Sequence, residues 1–245
     1  MKERISLQQE NCCLSKALPK KLPLEHCLNL SREVSEEEIR QAFFSMKDNK
    51  APGPDGFSAG FLKKAWSIVG NLVVSAVKSL FSSGKLLREV NSTAIALIPK
   101  VPNPTSLRDY RPISCCNTIY KGIAKIIANR VKASLPLLVG RQQTAFVEGR
   151  RIGDNILLAQ ELMINYHRDK GSPRCALKVD LMKAFDTVRW DFLLTVLRIV
   201  GFPETIVRWI EECITTPKFS ISLNGNSMAT LLGARGRQFA DRFCE

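Results

Sequence analysis

The chain has 245 residues, enough to bury a substantial core as one large domain or two small ones. Its content of 45% hydrophobic and 24% charged residues is ordinary for a globular protein and argues against a disordered chain. Lys and Arg number 36 against 23 Asp and Glu, and the net charge of +13 favours a polyanionic partner.

The basic excess is concentrated in one stretch of the chain. Between Ile98 and Arg151 there are ten basic residues, against only Asp109 and Glu148. If the chain binds nucleic acid, this stretch is the expected electrostatic footprint.

Cysteine spacing and apolar runs limit the cellular compartment. None of the eight cysteines is spaced Cys-x-x-Cys, so a zinc site is not indicated, and the two adjacent pairs do not resemble a secreted disulfide framework. The polar N-terminus lacks the apolar segment of a signal peptide, and no apolar run reaches roughly 18 residues. We expect an intracellular protein, in the nucleus or the cytoplasm, without membrane contact.

The first predicted helix follows a lead-in, residues 1–33, which lacks periodicity and is expected to be poorly ordered. Ser35–Glu38 form a capping box, and Val34 can pack against Ile39, so a helix should begin here. The two prolines and two glycines of Lys50–Gly56 then end that helix in a tight turn.

A long helical pattern and a strand come next. Ser58–Ser83 is predicted to be helical in two pieces broken near Gly70, with Gly84 as the C-terminal cap. Thr93–Pro99 alternates in the manner of a β-strand.

Thr118–Leu135 is predicted to form a second strong helix with one apolar and one basic side. The apolar face comprises Ile119, Ile123, Ile126 and Ile127, and the basic stripe comprises Lys121, Lys125 and Lys132. Arg130 falls inside the apolar face and must therefore find a partner there. The stripe could contact phosphates of a nucleic acid, although a charged stripe on a helix is usually its solvated face.

The last third of the sequence mixes helices and short strands. Ile152–Tyr166 reads as an amphipathic helix closed by Gly171 and Pro173, and Cys175–Leu181 reads as a strand with Asp180 on its polar side. Further along, helices are predicted over Trp190–Val200 and Glu204–Thr215, and a strand over Phe219–Leu223 that ends in the turn Asn224–Gly225.

Five of these segments, taken in order, resemble the motif series of reverse transcriptases from non-LTR retrotransposons. They are Lys50–Gly56, Leu97–Lys100, Asp109–Ser114, Asn129–Arg130 and Val179–Asp186. The resemblance extends from Val34 to Gly236 and implies an α+β fold of the right-hand polymerase type, rich in helices, with a small partial antiparallel sheet. It divides the chain into fingers with a basic face over 34–174, an incomplete palm over 175–236 and a non-matching tail over 237–245.

The resemblance also implies roles for individual residues. Asp180 would bind the catalytic Mg²⁺ ions with help from the carbonyl of Leu181, Phe185 would exclude a 2′-hydroxyl, and Lys100 and Arg111 would grip the triphosphate. The alternative for Asp180 is a solvated strand end, and for the two cations a solvated basic loop.

Other parts of the family pattern are missing. Gln238 matches the glutamine of the nucleotide-positioning segment, but Phe239–Glu245 departs from that segment. The sequence contains no Asp-Asp pair, which the family supplies downstream to complete a two-metal site. We therefore expect weak or absent Mg²⁺ binding, little polymerase activity from the chain alone, and an open sheet edge that lowers solubility.

Two functions remain open from the sequence. The first is the reverse transcriptase domain of a retrotransposon, an RNA-directed DNA polymerase with RNA template, DNA primer, dNTP and Mg²⁺ as partners, incomplete as it stands. The second is a non-catalytic remnant that binds RNA or DNA. The missing Asp-Asp hairpin leaves undecided whether the chain is an enzyme.

Overall fold

The computed structural model describes residues 14–106, 109–164, 166, 175–180, 188–223 and 226–232. The helices within these ranges are α1 Leu24–Ser31, α2 Glu36–Phe44, α3 Ala59–Lys64, α4 Trp66–Ser83, α5 Thr118–Lys132, α6 Leu135–Leu138, α7 Ile152–Met163, α8 Trp190–Ile199 and α9 Glu204–Thr215. The strands are β1 Ser92–Pro99, β2 Tyr110–Cys116, β3 Lys218–Leu223 and β4 Asn226–Leu232.

Helix α2 begins where its capping residues predict. The Ser35 hydroxyl accepts a hydrogen bond from the Glu38 amide at 3.1 Å, which satisfies one of the helix's unpaired N–H groups. Val34 and Ile39 are both buried, as expected for residues that flank the cap and pack together. The predicted start of this helix is confirmed.

The lead-in is more regular than its sequence suggests. Residues 14–17 are helical, α1 follows, and Leu30 on α1 is buried. The amide of Leu22 donates to the carbonyl of Val200 at 2.9 Å. The expectation of a poorly ordered lead-in is therefore wrong for these residues, because contacts with a part of the chain far away in sequence order them.

The long helical pattern breaks at Ala65, between α3 and α4, and the predicted break near Gly70 is wrong. Gly70 lies inside α4 against the indole of Trp66, and a Cβ there would come within 3.1 Å of three ring atoms. A glycine is required by this close packing and does not end the helix. Gly84 does end it, at a left-handed φ of 69°, as predicted.

The sheet is mixed, with strand order β2-β1-β3-β4. Strands β1 and β2 are antiparallel, as are β3 and β4, but β1 and β3 run parallel. The expected small antiparallel sheet is therefore correct for two of these strand pairs and wrong for the pair β1–β3. Strands β2 and β4 were not predicted from the sequence pattern. The expected turn Asn224–Gly225 lies outside the described residues.

Asn91 accounts for the parallel pair. Its side-chain amide donates to the carbonyl of Cys213 at 3.2 Å and to the hydroxyl of Thr216 at 2.9 Å. Its backbone carbonyl accepts a hydrogen bond from the Lys218 amide at 2.9 Å. The start of β3 is thereby held beside the start of β1. This contact is remote in sequence, so periodicity alone could not predict it.

Residues 175–180 do not form the strand predicted over Cys175–Leu181. They have no regular secondary structure, and the side chain of Leu177 is 85% exposed. A strand is stable only when a neighbour pairs with its backbone, and the sheet described above is built from other segments. The alternating pattern is present in the sequence, but no described strand pairs with it.

One hydrophobic core joins helices from both halves of the chain. Its fully buried members are Ile39, Phe43, Val77, Ile123, Ile126, Ile206 and Val207. The indole N–H of Trp209 on α9 donates to the carbonyl of Phe81 on α4 at 3.2 Å. Helices α8 and α9 therefore pack with the earlier helices across the expected boundary at residue 174.

Candidate nucleotide-binding hairpin

Strands β1 and β2 form an antiparallel hairpin that carries Lys100 and Arg111, the two residues predicted to bind the triphosphate. Ile98 lies opposite Arg111, and the Lys100 amide extends the ladder by donating to the carbonyl of Asp109 at 2.7 Å. Residues opposite each other share a face, so Lys100 and Arg111 are diagonal neighbours on one face, with a typical separation of about 7–8 Å. The structure thus brings these two predicted residues together.

Asp109 fixes the turn between the strands. Its carboxylate accepts hydrogen bonds from the amides of Ser106 and Thr105, both at 2.9 Å. These bonds, with the charge of Lys100, hold the pKa of Asp109 below its ordinary value. The carboxylate is therefore ionised at neutral pH and serves to shape the end of the hairpin that carries Lys100.

The face that carries both cations is accessible to solvent. Lys100 and Arg111 are exposed, and so are Ile98 and Ile113 on the same side of the hairpin. A pair of cations beside an exposed apolar surface suits a ligand that combines phosphates with an aromatic or sugar portion.

Asp180, the predicted catalytic residue, is not part of a complete metal site among the described residues. Asp180 is exposed at the end of the irregular segment 175–180, whereas Leu181, Phe185 and Gln238 lie outside the described residues. Among the residues the structure describes, no three His, Cys, Asp or Glu side chains cluster as a metal site requires. A lone carboxylate would leave most of the six Mg²⁺ ligands to water and substrate oxygens, so these residues do not by themselves fit the ion.

The predicted basic stripe on α5 makes contacts within the chain. The amine of Lys121 donates to the carbonyl of Ala51 at 2.8 Å, and that of Lys125 to the carbonyl of Ser45 at 3.3 Å. Lys132 forms an ion pair with Glu148 at 3.2 Å. A phosphate would have to compete with these partners, so the role of the stripe in binding nucleic acid stays a prediction.

The Lys50–Gly56 motif packs against the start of α5. The side-chain oxygen of Asn117 accepts from the Asp55 amide at 3.2 Å, and the Thr118 hydroxyl donates to the carbonyl of Phe57 at 2.5 Å. A Cβ on Gly53 would fall 2.2 to 2.6 Å from atoms of Asn117, so only glycine allows this approach. The motif has a clear structural role in holding α5.

Arg130 has the partner that its place on an apolar face demands. Its guanidinium donates two hydrogen bonds of 2.8 Å to the Glu38 carboxylate and further bonds to backbone carbonyls, including that of Leu30 at 2.9 Å. Burial alone would raise the pKa of Glu38, but the hydrogen bonds and charge of Arg130, with the charge of Arg32, lower it below its ordinary value. The expectation of a partner for Arg130 is confirmed.

Two residues of the loop before α7 have features that the sequence did not predict, since Arg150 was counted only as part of the basic stretch from Ile98 to Arg151 and Phe146 was not singled out. Arg150 donates to the carbonyls of Gly140, Val139 at 3.0 Å and Gln143 at 2.6 Å. Phe146 has a left-handed φ of 63° and is 82% exposed, an unusual state for an aromatic residue. No periodicity marks loop residues, and the only signal available was a Gly149-Arg150 pair in a basic segment.

Residues 98–238, more than half of the chain, match the family model described as reverse transcriptase (RNA-dependent DNA polymerase). The chain belongs to the reverse transcriptase family. The match begins at the end of β1 and includes β2, α5 and the helices α7 to α9. A polymerase-type α+β fold, rich in helices and with a small mixed sheet, is consistent with this membership.

The curated relatives of this reverse transcriptase domain come from retrotransposons. The chain is 28% identical over 84% of its length to the "Transposon TX1 uncharacterized 149 kDa protein" of Xenopus laevis, covering 16% of that protein. It is 26% identical over 84% of its length to the retrovirus-related Pol polyprotein from type-1 retrotransposable element R2 of Nasonia vitripennis, covering 20% of it. A similar polyprotein from type-2 retrotransposable element R2DM of Drosophila melanogaster is 23% identical over 85% of the chain, which covers 19% of it.

These relatives confirm the resemblance to reverse transcriptases of non-LTR retrotransposons. The chain spans one fifth or less of their length. In the part of the chain that the structure describes, no helix combines the length and apolar character that crossing a bilayer requires.

Proposed function

We propose that this reverse transcriptase domain binds the triphosphate of an incoming dNTP through Lys100 and Arg111. The observation that supports this is the register of the β1–β2 hairpin, which sets both side chains on one exposed face. Arg111 offers a planar fork for two phosphate oxygens, and Lys100 offers a compact point charge.

Hydrogen bonds of Asp109 support the same role. Its carboxylate accepts from two backbone amides of the turn, and its own backbone carbonyl accepts from the Lys100 amide, so the backbone of Lys100 is bonded to the start of β2 without any ligand. A binding group held in advance loses less conformational entropy when its ligand binds. The hairpin would correspond to the fingers of a right-hand polymerase.

The remaining parts of the polymerase are proposals on the resemblance alone. Residues 34–174 would form the fingers and 175–236 part of the palm, with RNA template and DNA primer bound between them. Asp180 would contribute one ligand to Mg²⁺ together with the Leu181 carbonyl, Phe185 would act as the steric gate, and Gln238 would position the nucleotide.

The test is nucleotide binding by the double variant Lys100→Gln/Arg111→Gln. We expect its affinity for a fluorescent dNTP analogue with Mg²⁺ to fall at least about tenfold, since each cation makes a charge-assisted contact with phosphate. Lys85→Gln/Arg88→Gln is the matched control, because both residues are exposed and removing them changes the net charge equally. Equal losses in the two variants, or no loss in either, would rule out the hairpin site.

The second candidate is a non-catalytic module that binds RNA or DNA. The net charge of +13 favours it. In that case Lys100→Gln/Arg111→Gln would weaken RNA binding in a strongly salt-dependent way and leave binding of the dNTP analogue unchanged.

A further inference from the structure

A basic cavity of about 580 Å³ lies beside the loop that joins α6 to α7. Three cations, Lys20, Arg141 and Arg150, line it together with a single carboxylate, Asp154. The volume is within the range of about 300–1,000 Å³ that is usual for ligand sites. The excess of positive charge indicates an anionic ligand.

Among the residues that the structure describes, none of the three cations forms an ion pair, and Asp154 is the acidic residue that lines the cavity beside them. Arg150 makes its hydrogen bonds to neutral backbone carbonyls, which shape the loop around Gly140 but carry no net charge. Across the described ranges, none of the ion pairs involves Lys20, Arg141 or Arg150. The stripe on α5 differs in this respect, because Lys132 is paired with Glu148 and the other two amines donate to carbonyls.

The beginning of α7 adds to the same positive potential. Gly149 lies just before this 12-residue helix, and Asp154 and Asn155 lie in its first turn, and all three line the cavity. The backbone dipoles of a helix give its first turn a partial positive charge, which favours phosphate groups. The Asp154 amide donates to the carbonyl of Arg151 at 3.2 Å, so this helix start contributes through its dipole, and the Asp154 carboxylate offsets part of that charge.

We propose that this cavity binds backbone phosphates of the nucleic-acid strand on which the domain acts. The class of ligand rests on the proposed function, whereas the position rests on the cations and the helix terminus described above. Lys20 and Arg141 make the phosphate contacts, and Arg150 positions the loop while adding charge.

The test compares RNA binding by the intact chain and by Lys20→Gln/Arg141→Gln. Arg150 is left in place because it holds three carbonyls of the loop. A short labelled single-stranded RNA is titrated by fluorescence anisotropy at several salt concentrations. We expect about tenfold weaker binding at low salt and a salt dependence, log K against log salt, that is shallower by about 1.4 for two lost phosphate contacts.

The controls separate this site from the nucleotide site and from general charge. Lys85→Gln/Arg88→Gln should leave the salt dependence unchanged, and Lys20→Gln/Arg141→Gln should bind the dNTP analogue as tightly as the intact chain. A loss of RNA binding in Lys20→Gln/Arg141→Gln, with no nucleotide binding by the intact chain, would uphold the cavity and refute the hairpin site.

Two outcomes would overturn the proposal. One is an RNA affinity and salt dependence equal to those of the control variant. The other is RNA binding that is unchanged while binding to phosphatidylserine vesicles is lost, which would assign the cavity to a membrane surface beside the exposed apolar side of α7.

Discussion

Helices α5 and α7 both have apolar residues at helical spacing, but they differ in whether other elements cover the apolar face. Helix α5 buries Ile123, Ile126 and Ile127 in the core, whereas α7 buries none of its residues. Ile126 on α5 is 1% exposed, and Ile156 on the apolar face of α7 is 54% exposed. The apolar spacing in a sequence therefore predicts that a segment is helical, but the neighbouring elements decide whether its apolar face contributes to stability.

Two features of α5 explain why it is covered. Gly122 lets the ring of Phe43 from α2 approach the helix backbone, and Arg130 joins α5 to Glu38 on the same helix α2. No element described makes comparable contacts with α7. The following predictions test this difference, from the largest expected effect to the smallest.

Replacing Arg130 should have the largest effect. Arg130→Met would leave Glu38 with only the exposed Arg32, 3.4 Å away, as a cationic partner, and several carbonyls without a donor. We therefore expect the free energy of unfolding to fall by about 3–5 kcal/mol. Chemical denaturation at neutral pH measures this. A loss below about 1 kcal/mol would show that the pair does not hold α5 to α2.

The same variant has a pH control. The pKa of Glu38 is lower in the folded state than its ordinary value, so the ion pair stabilises the fold above that value and its contribution is lost as the pH falls through the folded-state pKa. The difference between Arg130→Met and the intact chain should therefore shrink in acid. An unchanged difference would mean that packing, and not charge, is responsible.

Truncating one isoleucine on each helix should lower the free energy of unfolding by unequal amounts. We expect Ile126→Ala to lower the free energy of unfolding by about 3 kcal/mol through a core cavity. Ile156→Ala removes the same atoms from an exposed face and should change it by less than about 0.5 kcal/mol. Denaturation curves of the two variants decide the point, and similar losses would mean that α7 is covered in solution.

Adding one methyl group to each helix should give effects of opposite sign. A Cβ at position 122 would lie 2.4 Å from the ring of Phe43, so Gly122→Ala should cost about 2 kcal/mol by overpacking. A Cβ at position 153 meets no atom within 4 Å, so Gly153→Ala should be neutral or stabilise by up to about 1 kcal/mol. If thermal denaturation showed Gly122→Ala to be stabilising, the close packing of α2 on α5 would be refuted.

Local signals predicted most of the helices and the strand β1. Ser35 predicted the start of α2, Gly84 predicted the end of α4, and the apolar environment of Arg130 predicted a buried partner. These signals work because capping and periodicity act over a few residues. The sequence could not predict that the partner would be Glu38, which is 92 residues away.

The failures share a physical cause, which is dependence on contacts remote in sequence. The parallel pairing of β1 and β3 depends on Asn91 contacting the end of α9, and order in the lead-in depends on Leu22 bonding to Val200. Gly70 was read as a helix break although its role is to admit Trp66. Residues 175–180 show the opposite case, an alternating pattern with which none of the strands described in the structure pairs.

The candidate site was predictable only in part. The motif order predicted Lys100 and Arg111 as ligand-binding residues, and the hairpin register sets them on the same face. The lysine stripe on α5 was an obvious charge pattern, yet its amines contact the chain itself, and the cavity around Arg141 and Arg150 gave no periodic signal. Charge patterns in sequence therefore locate basic regions but do not say which cations remain available to a ligand.

The most direct test of the central claim compares a dNTP with the corresponding nucleoside as ligands of the intact chain and of Arg111→Gln. A triphosphate site at Lys100 and Arg111 predicts that the intact chain binds the dNTP at least about tenfold more tightly, a difference of about 1.4 kcal/mol, and that Arg111→Gln loses most of this preference. Equal affinities for the two ligands, or a preference that survives in Arg111→Gln, would contradict the account.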